Sequence, residues 1–409
     1  MGKGIVKLGE GNWAVKDGNL LAAKETNGRF KNAEFTVTRG TDATYVGKDG
    51  LISNETGDNT PRIDFTDNTD GHLLLEPQST NLIPYSEDFE QWAEEVNIDV
   101  TNNSTTSPDG TQNAAKLQLT GSSGGTDGKI SINVSPSATT HTFSIFAKKG
   151  NHDYIYIWMN MSVGSNITRW IDLNDGSVNE GGGTATVTTT SFSNDWWKIE
   201  YTFDATNLSK IKLEVADDGV STGTGGDNIY VWGAQLEALP HPTSYIPTNG
   251  STVTRDADTC TDAGEAADFN SEEGVLYAEI AALAEESASK RITISDGSLT
   301  NRITLSVAGN IISGFINVNN VTQYTFYESG QNITSYNKIA VKYKANDFAL
   351  WINGVEYDIS TSGSIFSANT LNVINFANAT ITDNDFYGKV KAIRVYKETD
   401  GIDLATLTS

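Results

Sequence analysis

Asp-Gly and Asn-Gly pairs punctuate this chain from one end to the other, at Asp17-Gly18, Asp49-Gly50, Asp109-Gly110, Asp175-Gly176, Asp296-Gly297 and Asn353-Gly354. Such pairs tolerate the positive φ angles of tight two-residue hairpins, so each marks the end of one strand and the start of the next. Between them run segments that alternate with a period of two: TFSIFA (142–147), YIYIW (154–158), KIEYTF (198–203) and KIAVKY (338–343). Alternating, β-branched and aromatic, they read as strands buried on one face. Gly, Asn, Thr and Asp disfavour helix interiors. Two short helices are expected, over 86–92, where Ser86 can cap and Phe89 and Trp92 share an apolar face, and over 401–407. The expected class is all-β, with minor short helices.

At 409 residues the chain exceeds one comfortable core, and a prior of about 150 residues per domain gives roughly two to four. Residues 1–92 hold short strands and few apolar runs, too little to bury much surface alone, so this part is expected to lean on a partner chain. Residues 93–246 carry enough evenly spaced strands for an antiparallel sandwich. Residues 247–270 are a polar linker, and 271–409 a second alternating set. Thr252-Val253-Thr254-Arg255 in the linker echoes Thr36-Val37-Thr38-Arg39, which suggests two similar edge strands.

Net charge is -24, and no Lys/Arg cluster opposes that field, so nucleic acid is not an expected partner. No window approaches the roughly 18 apolar residues of a membrane span, so no insertion is expected. The lone Cys260 cannot form an internal disulfide. MGKGIVKL lacks the apolar run of a secretion signal, and synthesis in a reducing cytoplasm is expected.

Catalytic and metal-binding patterns are thin. His72, His141, His152 and His241 are scattered singly, without HExxH or His-x-His spacing, and are expected to be structural or superficial. Gly219-Val220-Ser221-Thr222-Gly223 matches a nucleophile elbow in letters, but Thr224-Gly225-Gly226-Asp227 cannot start the helix an elbow requires. Asp67-Asn68-Thr69-Asp70-Gly71 lacks the leading carboxylate and closing glutamate of a calcium loop and reads as a turn. Asp217, Asp218 and Asp227 flank a glycine-rich loop; solvated turn residues are favoured there, with structural calcium the alternative. Glycoside hydrolysis needs a matched carboxylate pair, and the sequence singles out none. No catalytic or cofactor-binding residue is assigned. For a saccharide platform the candidates are Trp158, Trp170, Tyr324 and Tyr327, since flat rings receive the apolar C–H face of a sugar while Asp and Asn receive its hydroxyls. Core packing is the favoured reading for each, as it is for Trp196, Trp197, Trp232 and Trp351.

The segments LLLEPQSTNLIPYSEDFEQW (73–92) and WGAQLEALPHPTSYIPTNGSTVTR (232–255) resemble a pair that brackets a jelly-roll module in bacteriophage head-fibre and tail-fibre proteins. SPDGTQNAAKLQL (107–119), HTFSIFAKKG (141–150), DWWKIEYTF (195–203) and DNIYVWGAQLE (227–237) continue the resemblance in order. It narrows residues 93–246 to a jelly roll like those of carbohydrate-binding modules. ALWINGVE (349–356), FYGKVKAIRVY (386–396) and the tail GIDLATLTS resemble a concanavalin-like, laminin-G-type sandwich. The resemblance implies a non-enzymatic virion structural protein, a fibre, spike or decoration subunit on a capsid or tail surface. It implies docking through the first 35 or so residues onto capsid, portal or tail proteins, a homo-oligomer with trimers as one form, and adhesion to a host-surface glycan. The alternatives are a free-standing carbohydrate-binding adhesin and, less favoured, a glycan-degrading enzyme.

Overall fold

The computed structural model describes residues 6–409 apart from 27–28, 56–58, 123–127, 138, 180, 216–222 and 380–383. It is built of β-strands with short helical turns, a multidomain all-β protein as the hairpin signals predict. The chain divides into two compact units. Unit 1 comprises Met1–Asp42, Glu55–Pro77 and Asp256–Ser409; unit 2 comprises Ala43–Asn54 and Gln78–Arg255.

In unit 2 two six-stranded antiparallel sheets face each other. The first runs Ala93–Glu94, Lys129–Asn133, Leu208–Val215, Tyr154–Met161, Ile167–Asp172, Val178–Asn179; the second runs Ile98–Thr105, Ala114–Leu119, Asn228–Glu237, Thr140–Lys149, Trp196–Asp204, Thr186–Phe192. Neighbours in each sheet are mostly distant in sequence, the crossed order of a jelly roll. Alternation supplies the core: Ile155, Ile157 and Met159 with Ile211 and Leu213 meet Phe143, Ile145, Ile199 and Tyr201 of the other sheet. Each fully buried side chain of this size contributes about 1.5–3 kcal/mol.

The outer face of the second sheet is also apolar. Phe146, Trp196 and Trp232 pack there with Ile52 and Tyr245. One residue makes that arrangement possible. Gly233, at φ +67°, sits where the register between Asn228–Glu237 and Thr140–Lys149 slips, so Trp232 points outward and Ala234 inward. The proline-pinned turn that follows is tied down by the buried Glu237 carboxylate, which accepts from Ser79 Oγ (2.6 Å), Gln235 Nε2 (2.7 Å), Thr243 N (3.0 Å) and the Thr243 hydroxyl. The two bracketing segments thus meet through one acid.

Unit 1 pairs a twelve-stranded sheet with a five-stranded one. The path through the larger is Thr259–Thr261, Arg29–Thr38, Asn19–Thr26, Val6–Gly9, Gly388–Tyr396, Glu273–Ala282, Asn337–Lys344, Phe348–Ile352, Val355–Ser360; the smaller is Val321–Ser329, Ile311–Val318, Arg302–Ala308, Lys290–Ser295, Val373–Asn375. Leu276, Ile339, Val341, Leu350 and Ile393 of the first meet Ile292, Ile303, Leu305, Ile312 and Phe326 of the second in one core.

The expected boundaries 1–92, 93–246, 247–270 and 271–409 differ from this division. Residues 1–92 form no body of their own: Val6–Gly9 pairs with Gly388–Tyr396, and Val6, Leu8, Leu20 and Phe35 are fully buried in the unit 1 core. Residues 78–92 belong to unit 2, and the stretch 256–270 belongs to unit 1, where Thr259–Thr261 is an edge strand. The reason is long-range pairing, which local composition does not report. The Thr-Val-Thr-Arg echo marks no matched pair of edge strands, since Arg29–Thr38 is paired on both sides while Val253–Arg255 pairs with Ser79–Asn81 in a two-stranded sheet. Around the ends where the chain leaves unit 1, Asp258 accepts from Arg39 (3.0 Å) and Arg62, and Arg62 also reaches Glu76 (2.7 Å), all four buried. The helix expected over 86–92 is one 3-10 turn at Phe89–Gln91, and the Ser86 hydroxyl bonds Tyr245 Oη (2.7 Å) rather than capping it. The carboxyl-terminal helix spans Leu404–Thr408, capped by Asp403.

Candidate functional site

The inward parity of the first unit 2 sheet is spent on aliphatic side chains and the buried Arg169, so the opposite parity of the same strands must face away from the core. On Tyr154–Met161 that face carries Tyr154, Tyr156 and Trp158, and on Ile167–Asp172 it carries Thr168, Trp170 and Asp172. The register sets Trp170 opposite Tyr156, and their rings stack at 4.0 Å with planes 6° apart. Trp158 meets Tyr156 edge-on at 4.9 Å. Offset-stacked and edge-on pairs are favourable geometries for ring quadrupoles, so the three rings hold one another in place. Tyr156 is buried, while Trp158 and Trp170 are half-buried.

Across Leu208–Val215 and Lys129–Asn133 the same face turns charged. Glu214 lies opposite Tyr156 on one side and Lys129 on the other. Lys129 Nζ bonds Glu214 Oε2 at 3.0 Å and stands 5.5 Å from the Trp158 ring, while Trp158 Nε1 donates to the same oxygen at 3.3 Å. Burial pushes the Glu214 carboxyl above its ordinary value, and Lys129 offsets part of that. Next to them Lys212 Nζ bonds Glu95 Oε1 at 2.9 Å. Aromatic rings, fixed cations and fixed carboxylates thus share one sheet face, and Lys129, Lys210 and Lys212 balance Glu95, Glu214 and Asp172 there. In a chain of net charge -24 this is a place where an acidic ligand meets no net repulsion.

Of the aromatic candidates, Trp158 and Trp170 are brought together and the other two are not. Tyr324 is 4% exposed and packs within the unit 1 core, 5.3 Å from Phe348, because alternation puts it on the same face as Phe326. It cannot serve as a platform. Tyr327, on the opposite parity, is 58% exposed and belongs to the five-stranded sheet of unit 1. Trp196 and Trp232 are buried in the aromatic cluster, and Trp197 donates Nε1 to Leu173 O at 3.0 Å. Trp351 is half-buried on the outward face of the larger unit 1 sheet. Tyr156, Lys129, Lys212 and Glu214 were not singled out by sequence; Tyr156 shares the parity of Trp158 in YIYIW, which is the signal that would have found it.

The remaining candidates stay apart. His72 lies between Asp67 (3.2 Å) and Asp64 (3.8 Å), His141 Nδ1 faces Thr139 O at 3.0 Å, His152 lies 3.6 Å from Asp227, and His241 is buried. The Asp67–Gly71 segment is a turn, with Gly71 at φ +72°. Burial alone would raise the Asp67 carboxyl, but hydrogen bonds from His72 and Lys389 hold it well below its ordinary value. Residues 219–222 of the elbow-like motif, and Asp217 and Asp218, lie outside the described residues. Asp227 accepts from Thr224 N at 2.7 Å and Thr224 Oγ1 at 3.2 Å, closing its own loop. Among the described residues no group of three His, Cys, Asp or Glu side chains is arranged to hold a metal ion. A polar concavity of about 410 Å³ in unit 2 includes Glu87, Asp88, Asn102 and Asn113. Both oxygens of Glu87 are held there, by Tyr245 Oη at 2.8 Å and Asn113 Nδ2 at 2.9 Å.

No protein-family model matches the chain, and no curated protein matches its sequence. Among solved structures, the CBM40 of the Ruminococcus gnavus IT-sialidase bound to α2,3-sialyllactose is 14% identical, over 36% of this chain and 94% of that one, at a TM-score of 0.30. A second structure of that CBM40 is 15% identical over 34% and 84%, also at 0.30. Mouse laminin α1 chain domains LG4–5 are 10% identical over 68% and 88%, at 0.24. At these values the fold class rests on the strand pairing above.

Proposed function

We propose that the protein is a lectin-like binding module whose unit 2 sheet face receives a saccharide. The observation that carries this reading is the parallel Tyr156–Trp170 stack with Trp158 at its edge, on a sheet face whose core-facing side is already filled. A soluble domain gains little from orienting three large rings away from its core unless something apolar covers them. A sugar ring does so with its C–H face, while its hydroxyls, or a carboxylate, find Lys212, Glu95 and Asp172 around the rim.

The finer reading places this module on a bacteriophage particle, as a head or tail fibre, spike or decoration subunit for host-surface glycan adhesion. The ordered segments from LLLEPQSTNLIPYSEDFEQW to FYGKVKAIRVY support it, and they support display as a homo-oligomer on capsid, portal or tail proteins. Repetition suits a weak sugar site, because linked copies raise avidity without new contacts. On this reading the chain binds glycans and does not cleave them.

Two experiments test the proposal. A glycan array probed with the full chain and with Trp170→Ala should give a restricted set of hits whose signal falls roughly tenfold in the variant, equivalent to about 1.4 kcal/mol; uniformly blank wells count against it. Incubation with host polysaccharide should produce no new reducing ends, and release at catalytic rates overturns the non-enzymatic part. For the virion assignment, labelled antibody should decorate particles in electron micrographs, and bare particles would refute it.

A further inference from the structure

We propose that the outward face of the larger unit 1 sheet carries a second saccharide site, selective for a neutral hexose or N-acetylhexosamine. Its basis is a cavity of about 380 Å³ between the Lys342, Trp351 and Ile359 strands and the carboxyl-terminal helix. Ile339, Val341, Leu350 and Ile352 occupy the inward parity of Asn337–Lys344 and Phe348–Ile352, so Lys342 and Trp351 point out. Ile402, Leu404 and Leu407 cover the neighbouring part of that face by packing against Val275, Tyr277, Ala340 and Tyr396. Trp351 packs against the same cluster and also lines the cavity.

The edge strand completes it. Val355–Ser360 pairs with Phe348–Ile352 through a register slip that sets Glu356 opposite Trp351 and Ile359 opposite Ala349, so both share the outward parity. Ile359 is 60% exposed and extends the apolar floor. Three acids line the cavity, and two are already engaged. Asp347 pairs with Lys342 at 2.6 Å, and Asp403 accepts from Thr406 N (3.2 Å) and Thr406 Oγ1 (2.7 Å) as the helix cap. The Glu356 carboxylate has no hydrogen-bond or ion-pair partner among the described residues. A free carboxylate beside a half-buried indole, in a cavity within the size range of small-molecule sites, suits a sugar that donates hydroxyls to one and lays its C–H face on the other. Asp347, Glu356 and Asp403 against Lys342 leave the cavity with an excess of two negative charges, which repels sialic and uronic acids. In this it differs from the balanced unit 2 face, and it does not depend on that face being a site.

The test uses the full chain carrying Trp170→Ala, which removes the unit 2 platform. Saturation-transfer NMR with the methyl glycosides of glucose, galactose, mannose and N-acetylglucosamine at millimolar concentration should show saturable binding of at least one. Adding Glu356→Gln should weaken that binding at least tenfold, and so should Trp351→Ala. Trp351→Phe, which keeps a ring for the helix cluster, should retain part of it if the alanine variant does not fold. Sialic acid should give no saturable signal. Absence of saturable binding by every neutral glycoside, or binding unchanged by Glu356→Gln and Trp351→Phe, overturns the proposal.

Discussion

Glu237 shows how a single buried acid can hold a turn and carry a pH dependence with it. Burial raises its carboxyl above the ordinary 4.5, although bonds from Ser79, Thr243 and Gln235 pull the other way. A raised acid favours its protonated form in the folded state, so its contribution is complete below pH 4.5 and is lost as the pH rises through the folded value. Glu237→Gln keeps the shape and cannot ionise, and its amide N–H₂ can donate to the Ser79 and Thr243 hydroxyls while its oxygen accepts from Gln235 and Thr243 N. In urea unfolding the wild type should therefore lose stability relative to Glu237→Gln from pH 5 to pH 8, and a relative gain would contradict this assignment. At this scale much was legible. The half-buried pair Trp158 and Trp170 stood among the aromatic candidates, and the parity of YIYIW holds the third ring. The Lys129–Glu214 pair was not legible, because it joins strands 85 residues apart whose adjacency no local pattern records.

At the scale of elements, the alternating runs and their Asp-Gly or Asn-Gly ends were readable as strands, and Asn353-Gly354 closes a hairpin with both residues at positive φ. The first strands were harder to place, since four residues such as Val6–Gly9 have no fold of their own and acquire one by joining Gly388–Tyr396 across nearly the whole sequence. Residues 1–35, expected only to dock onto other proteins, are therefore part of the unit 1 core. Their loss strips Val6, Leu8, Leu20, Ala22 and Ala33 from the unit 1 core. Large-to-small core changes cost about 2–5 kcal/mol for a single Leu, and this truncation removes several residues outright against a typical total stability of about 5–15 kcal/mol. A chain beginning at residue 36 should lose the cooperative unfolding of unit 1 and be cleaved there by dilute protease; a truncated chain with unchanged protection of 271–409 would show that the pairing is dispensable.

For the whole molecule, the division runs through the sequence four times, which is why a linear reading into 1–92, 93–246, 247–270 and 271–409 misplaces pieces that composition alone cannot assign. The consequence is practical. Residues 271–409 expressed alone lack Val6–Gly9, Arg29–Thr38 and His72–Leu75 and should give no cooperative thermal transition, whereas 1–42, 55–77 and 256–409 joined by short glycine-serine links should fold. Equal folding of both would undo the division. The central claim, that a jelly-roll sheet turns an ordered aromatic face toward a sugar, is tested most directly by titration calorimetry of the full chain with the strongest glycan from the array. Binding should be saturable and weaken at least tenfold in Trp170→Ala while the unfolding free energy from urea titration stays within about 1 kcal/mol of wild type, the scale of a change outside the core. Equal affinity in wild type and Trp170→Ala would contradict it.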